Sequence, residues 1–365
     1  MPLPTTFEPL VQESVIVSLE PVRNAIASML AVIMDHMTTG TGTWLDRTRN
    51  ALSAEEMARH RLVINGFFHA ILPDQELGSF PEYLEVLAAS DATAMRDRML
   101  NAYAEICMAC DESVLKEKVD WVATLKSVDA YVSLLLERFG EDHVDVDLET
   151  EAYGYVIDPP AMKKLIVGHL TWFWEQHLAK EWARVEPMLK ETVKAFEKSH
   201  LEKMSRLEAA RFITGQDIEK LSWAHTLEKP ERIIFIPNPH VGPFVTRIHY
   251  DGGTVGLIFG ARQPEGTAVR IPELDRADIA ARMSAISDDT RLRILQLIGE
   301  RGELRSTDIM EEVELSQPSV SRYLTQLSAT GYLQERRVNG AKAYALNRER
   351  IEKTLQAVHK FLLGD

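Results

Sequence analysis

The sequence predicts a mainly α-helical protein with small β elements: a helical N-terminal domain, a short antiparallel sheet, and a C-terminal winged helix-turn-helix. Three observations predict it. Ser306 to Leu346 holds two short helix patterns, a tight turn between them, and a hairpin signal after them. Arg232 to Ile271 is rich in β-branched and aromatic residues and punctuated by Pro and Gly. Most of the chain before it carries apolar residues at helical spacing. The expected divisions are 1–228 for a helical sensor or assembly domain, 229–272 for the sheet and a linker, and 273–365 for the winged helix.

Within the last division, STDIMEEV (Ser306 to Val313) forms the first helix and Glu314 to Ser316 the turn. Ser316 is placed to cap the second helix. Pro318 suits its first turn, where a missing N–H costs nothing. Val320, Leu324 and Leu327 fall at i, i+4 and i+7, a stripe that must be buried. The other faces carry Gln317, Ser319, Ser321, Arg322, Thr325 and Gln326, donors and acceptors long enough for base edges and phosphates. Gly331 stands where a helix end wants positive φ. LQERRV and AKAYAL flank Asn339-Gly340, a strong hairpin signal. Arg336, Arg337 and Lys342 lie on that hairpin, placed to meet phosphates. The bland alternative is a helix pair and hairpin that only packs. Spacing, Ser-rich face and basic hairpin together favour double-stranded DNA as the partner.

These residues carry a resemblance. The C-terminal ninety or so residues resemble an ArsR-type winged-helix regulator through DDTRLRILQLI (Asp288 to Ile298), STDIMEEV, LSQPSVSRYLTQLSATGYL and the ERR…NGAKAYAL wing. In that family a Ser-Gln-x-x-x-Ser-Arg segment opens the recognition helix, matched here by Ser316, Gln317, Ser321 and Arg322. Tyr323 stands where the family commonly has His, and its hydroxyl can still donate. Metal-sensing members carry paired cysteines on the preceding helix; STDIMEEV has none, so the resemblance implies no metal there. The upstream chain is similar to long ArsR-like regulators with a large helical N-terminal domain. The similar pieces are the V-x-x-SLEPVRNAIASM start, Trp44, PDQELGSFPEYLEVL and FIPNPHVGPF.

At 365 residues two or three domains are expected. No run of eighteen apolar residues exists, so no membrane span is read. The apolar start lacks a basic n-region and a cleavage site, so no signal peptide is read, and the cytoplasm fits. Two cysteines in so long a chain argue against a disulfide framework. The net charge of −14 is uneven: Arg276 onward carries +1 and Met1 to Asp275 carries −15. DNA affinity then depends on local clusters of Arg and Lys, and the acidic part should face away from the duplex.

Upstream, Val15 to Leu19 reads as one short strand and Pro21 starts a helix. Further helices are expected at Ala54 to Leu72, Pro81 to Ala89, Thr93 to Ala109, Glu112 to Arg138, Ala161 to Ala195 and Glu197 to His225. Glu141 to Pro160, acidic and ending in two prolines, reads as a connector. Its acids lack the spacing of a calcium loop, and a solvated segment is expected. Cys107 and Cys110 share a helix face, which suits a soft metal or a redox pair. Their apolar surroundings favour two buried structural cysteines. Trp172, Phe173, Trp174 and His177 are the candidate lining of an effector pocket; against this, Trp174, Leu178 and Trp182 fall at i, i+4 and i+8, as a core stripe would.

No nucleophile elbow, Walker loop or dinucleotide fingerprint is present. No catalytic residue, metal site or cofactor is therefore expected, and no enzyme. The reading is a regulator of transcription, repressing because ArsR-type proteins usually repress, with the N-terminal domain sensing a small-molecule effector. The alternative is an enzyme or scaffold with a DNA-binding appendage. A homodimer is expected from two apolar stripes. Ile279, Met283 and Ile286 form one, and Ile351, Leu355, Val358 and Leu362 on the terminal helix form the other.

Overall fold

A computed structural model describes residues 15–34, 43–106, 119–216, 218, 227, 230–250, 253–262, 279–280, 282–338 and 341–363. Cys107, Cys110, Asn339, Gly340 and most of the expected 262–272 linker lie outside them. Fourteen helices of eight or more residues are described. They are α1 (Pro21–Ile33), α2 (Thr43–Ala51), α3 (Ala54–Arg61), α4 (Phe80–Ala89), α5 (Ala92–Glu105), α6 (Val128–Phe139), α7 (Val146–Val156), α8 (Pro159–Phe173), α9 (Ala179–Glu197), α10 (Arg206–Thr214), α11 (Asp289–Arg301), α12 (Ser306–Val313), α13 (Gln317–Ala329) and α14 (Arg348–Leu363). The strands are β1 (Val15–Val17), β2 (Arg232–Asn238), β3 (Val245–His249), β4 (Thr254–Gly260), β5 (Leu304–Arg305), β6 (Leu333–Val338) and β7 (Ala341–Leu346). Contacts divide the chain into two units: Met1–Leu19, Met34–Asp46 and Arg184–Asp365, and Glu20–Ile33 with Arg47–Ala183.

The second unit is helical and built around α1. This helix is apolar on nearly all sides, and its buried residues run from Val22 to Ile33. A helix apolar all round must sit inside. Its C-terminal carbonyls still need donors. Arg49 supplies them: Nε donates to Val32 O at 2.8 Å and Nη2 to Ala31 O at 2.6 Å. The acidic connector expected at 141–160 is instead helical at α7. Asp145 caps that helix by accepting from Leu148 N, and Asp147 and Glu149 occupy its first turn. Acids there favour the helix rather than oppose it. Two π-helical turns interrupt the helical runs, Leu62–Gly66 after α3 and Trp174–Leu178 after α8.

The first unit contains a four-stranded sheet of order β1-β2-β4-β3. The expected hairpin joins β3 and β4 in antiparallel register. The expectation that the whole sheet is antiparallel is corrected: β1 pairs with β2, and β2 with β4, in parallel. The cause is the turn after β2. Asn238 Oδ1 accepts from His240 N at 2.7 Å and Val241 N at 3.1 Å, and Gly242 takes φ +57°. The chain reverses there without pairing to β2, so β3 lands on the far side of β4. That turn lies so close to Gly260 that a Cβ would collide with the Gly242 carbonyl oxygen. Ile233, Phe235, Leu257, Phe259 and Phe196 form the sheet's packed core. Trp44 lies against His240, ring centroids 4.3 Å apart and planes tilted by 32°, which joins two of the motifs singled out in the sequence.

Candidate nucleic-acid interface

The C-terminal part of the first unit packs α11, α12 and α13 against a three-stranded sheet of order β5-β7-β6. α12 is stopped at Glu314, which takes φ +54°, and the chain turns into α13 within three residues. Ser316 has the extended backbone of a helix cap. Its side chain does not make the expected cap bond and instead lies 3.0 Å from Ser319 Oγ. Val320, Leu324 and Leu327 are buried, as the spacing requires. Gly331 takes φ +81° and ends the helix.

With that stripe buried, Ser316, Gln317, Ser321, Arg322 and Thr325 are exposed, and Ser319 and Tyr323 are half-buried. Arg322 lies over the Tyr323 ring at 5.4 Å, so the guanidinium is held rather than free in solvent. Thr325 Oγ1 donates to Ser321 O at 2.8 Å, which leaves its lone pairs outward as acceptors. Gln326 departs from the expectation. It is 3% exposed and accepts from Arg291 Nη1 at 3.0 Å, so it holds the helix rather than facing outward. Arg291 also donates to Ala285 O at 2.7 Å and Ser284 O at 2.9 Å. This guanidinium fixes the pose of α13, a role the sequence reading missed. A charged residue three positions into an Asp-capped helix, otherwise buried by its neighbours, was the available signal.

β6 and β7 pair in antiparallel register, with Arg336 opposite Ala343 and Arg337 opposite Lys342. Arg336 is exposed. Lys342 Nζ sits 2.8 Å from Glu335 Oε1, so its charge is partly neutralised in the free protein. Removing that acid should release Lys342 toward a phosphate. Glu335→Gln is expected to tighten binding to any duplex by up to about fivefold, the worth of an exposed ion pair. Anisotropy titrations at low and high salt should show the gain shrinking as salt rises. An unchanged affinity at low salt would mean Lys342 does not face DNA.

A profile described as "Bacterial regulatory protein, arsR family" matches residues 288–335, which run from the α11 cap to β6. The arsenic resistance transcriptional regulator ArsR2 of Pseudomonas putida is 38% identical over 85 residues, covering 21% of this chain and 74% of that protein. The chain belongs to the ArsR family. The likeness lies in its C-terminal part, and most of the chain precedes the matched residues. ArsR1 of the same organism is 42% identical over 64 residues, 18% of this chain and 50% of that protein. The arsenical resistance operon repressor of Escherichia coli is 40% identical over 52 residues, 14% of this chain and 44% of that protein. The chain thus spans half of ArsR1 and less than half of the E. coli repressor. NolR from Sinorhizobium fredii is similar at 26% identity, covering 26% of this chain and 94% of that one, with a TM-score of 0.21.

In this ArsR-family protein the candidate dimer residues are only partly covered. Met283, Leu355 and Leu362 are exposed, the last two at 56% and 69%, while Ile279, Ile286, Ile351 and Val358 are half-buried. Ile286, Ile351 and Leu355 share with Leu292, Leu295 and Leu346 an apolar groove of about 310 Å³.

The candidate effector residues separate in the second unit. Phe173 is fully buried and stacks on His60 at 4.3 Å, and Trp174 packs on Phe80 at 4.9 Å. Phe173 belongs to the core, whereas Trp174 is half-buried. His177 lies against Trp172 and Phe173 at 5.1 and 5.2 Å. Trp172 lines a cavity of about 490 Å³ whose wall also includes His169. His60 Nδ1 lies 2.9 Å from His169 Nε2 in the core beside it. Burial pushes both imidazoles below their ordinary value, His60 to about 4 and His169 to about 3.

Proposed function

We propose that this chain is a repressor of transcription that binds a palindromic operator as a two-fold dimer, with its helical unit answering a small-molecule effector. The observation that carries the proposal is the exposed Gln317, Ser321, Arg322 and Thr325 face of α13, set by a buried stripe and flanked by a basic hairpin. Side chains of this kind on a helix that protrudes between a turn and a wing suit the major groove. The uncovered apolar residues of α14 support the dimer, since such a stripe costs free energy while it faces water. The repressing sign rests on the E. coli relative's name. Three relatives are named for arsenic or arsenical resistance, but α12 lacks cysteine, so no metalloid site is proposed there. No helix among the described residues is long and apolar enough to cross a membrane. The cytoplasm is the proposed compartment.

Two measurements test the assembly. Light scattering at micromolar concentration should return twice the chain mass. Footprinting should show two protected half-sites whose centres lie about one DNA turn, ~34 Å, apart. A strictly monomeric protein, or a single unpaired protected segment, would sink the dimer.

A further inference from the structure

The helical unit holds a cavity of about 490 Å³ walled by Arg59, Tyr155, Lys164, Leu165, His169 and Trp172. That volume suits a metabolite-sized ligand. Two cations line it and no carboxylate does. Lys164 is exposed, and Arg59 pairs with the exposed Glu55 at 2.9 Å and also feels the charge of Glu56. Tyr155, Leu165 and Trp172 supply flat and apolar walls.

The proton positions behind this wall follow from one backbone group. His60 Nε2 lies 2.9 Å from the Met29 carbonyl oxygen, which can only accept, so that nitrogen carries the proton. In a neutral imidazole the other nitrogen is then bare. His60 Nδ1 must accept, and His169 Nε2, 2.9 Å away, must be the donor. His169 is left with a bare Nδ1. That atom has no hydrogen-bond partner, although the side chain is 4% exposed. A buried acceptor without a donor costs about 1–3 kcal/mol. A core His satisfied by its neighbours would not be left so. The relay from Met29 through His60 holds His169 as an acceptor on a ring that lines the cavity. Metal ligation lacks support, since no three His, Cys, Asp or Glu side chains converge among the described residues.

We propose that this cavity is the effector site and takes a small aromatic carboxylic acid bearing a hydroxyl or N–H group. Its carboxylate sits at Arg59 and Lys164, its ring lies against Trp172 and Tyr155, and its donor reaches His169 Nδ1 through a small shift of the imidazole, since that atom has almost no accessible surface in the free protein. The proposal rests on the sensing reading above, and it names the class of compound sensed. It moves the pocket from Phe173 and Trp174 to the cavity wall that includes His169 and Trp172.

Calorimetry on the full-length protein tests it with matched probes: 3- and 4-hydroxyphenylacetate, indole-3-acetate, phenylacetate without a donor, and tyrosol without an acid. At least one of the first three should bind about tenfold or more tightly than both phenylacetate and tyrosol, the worth of one buried hydrogen bond or ion contact. Two variants place the site. A Cβ at Gly168 meets no atom within 4 Å, so Gly168→Phe can fill the cavity without a backbone clash. Lys164→Gln removes one cation from an exposed position. Thermal melting confirms that each is folded. Binding should vanish in the first and weaken about tenfold in the second. No binding by any of the donor-bearing acids, equal binding by phenylacetate, or binding unchanged in Gly168→Phe would each overturn the site. A repeat titration of operator DNA with the bound acid separates the two readings. Binding that leaves operator affinity unchanged keeps the site and sinks the sensing role.

Discussion

Replacing Arg322 with Ala is expected to leave the protein folded while weakening operator binding by about 1–3 kcal/mol, roughly five- to 150-fold. Arg322 is exposed and lies over the Tyr323 ring at the surface, so its loss opens no buried cavity. An Arg on a recognition helix reads guanine through two parallel hydrogen bonds or clamps a phosphate. Arg336→Ala on the wing should behave differently in kind. It should weaken operator and scrambled duplexes alike and reduce the log–log salt slope by about one unit, as one lost phosphate contact does. Fluorescence anisotropy over a salt series, with both duplexes, distinguishes them. If neither change alters affinity while circular dichroism stays native, the helix-turn-helix does not read DNA.

Acid should destabilise the helical unit through its paired histidines. Each has a folded value below its unfolded value near 6.5, so the unfolded chain binds protons more readily. The stabilisation is full above about pH 6.5 and is lost as pH falls toward about 4 for His60 and about 3 for His169. Glu149 works against this. Burial raises its carboxyl to about 7, so the folded state takes up its proton first and gains stability as pH falls from there toward its ordinary value of 4.5. Each group contributes about 1.4 kcal/mol per pH unit inside its window. Two histidines against one glutamate leave a net loss of about 1.4 kcal/mol per unit between pH 6.5 and 4.5. Urea titrations at pH 7.5, 6 and 5 measure it. His60→Asn should flatten the dependence even where it lowers the starting stability. Wild-type stability unchanged across that range would show that the imidazoles are not neutral in the fold.

The winged helix was legible because its local signals agree with its packing. Val320, Leu324 and Leu327 sit at the helical period, Pro318 and Gly331 mark the ends of α13, and the core confirms each. Gln326 was misread because the same period places it beside the stripe, and only the Arg291 guanidinium brings it inside. The α7 segment was misread from its acidity. Leu148, Ala152 and Val156 fall at i, i+4 and i+8, and Asp145 is a good cap, so the pattern was present beneath the charge. Phe173 was misplaced for a different reason. Phe173 and Leu178 are both buried yet five positions apart, because the π turn adds one residue to that turn. A period of 3.6 carried across it assigns side chains to the wrong faces. The parallel pairing of β2 with β4 was also hidden, since a turn that passes over a strand looks in sequence like one that pairs back.

The pairing of β1 with β2 sets a timetable for synthesis. Val15 leaves the ribosome roughly two hundred residues before its register partner Ile233. At about 5–20 residues per second the interval is roughly ten to forty seconds. Throughout it the segment VIV has no strand to join, while the helices encoded between the two have their own contacts and can form first. A chain interrupted before residue 232 would therefore carry the helices of the second unit together with an unpaired apolar segment and an uncovered face on α9 and α10, a form suited to capture by a chaperone.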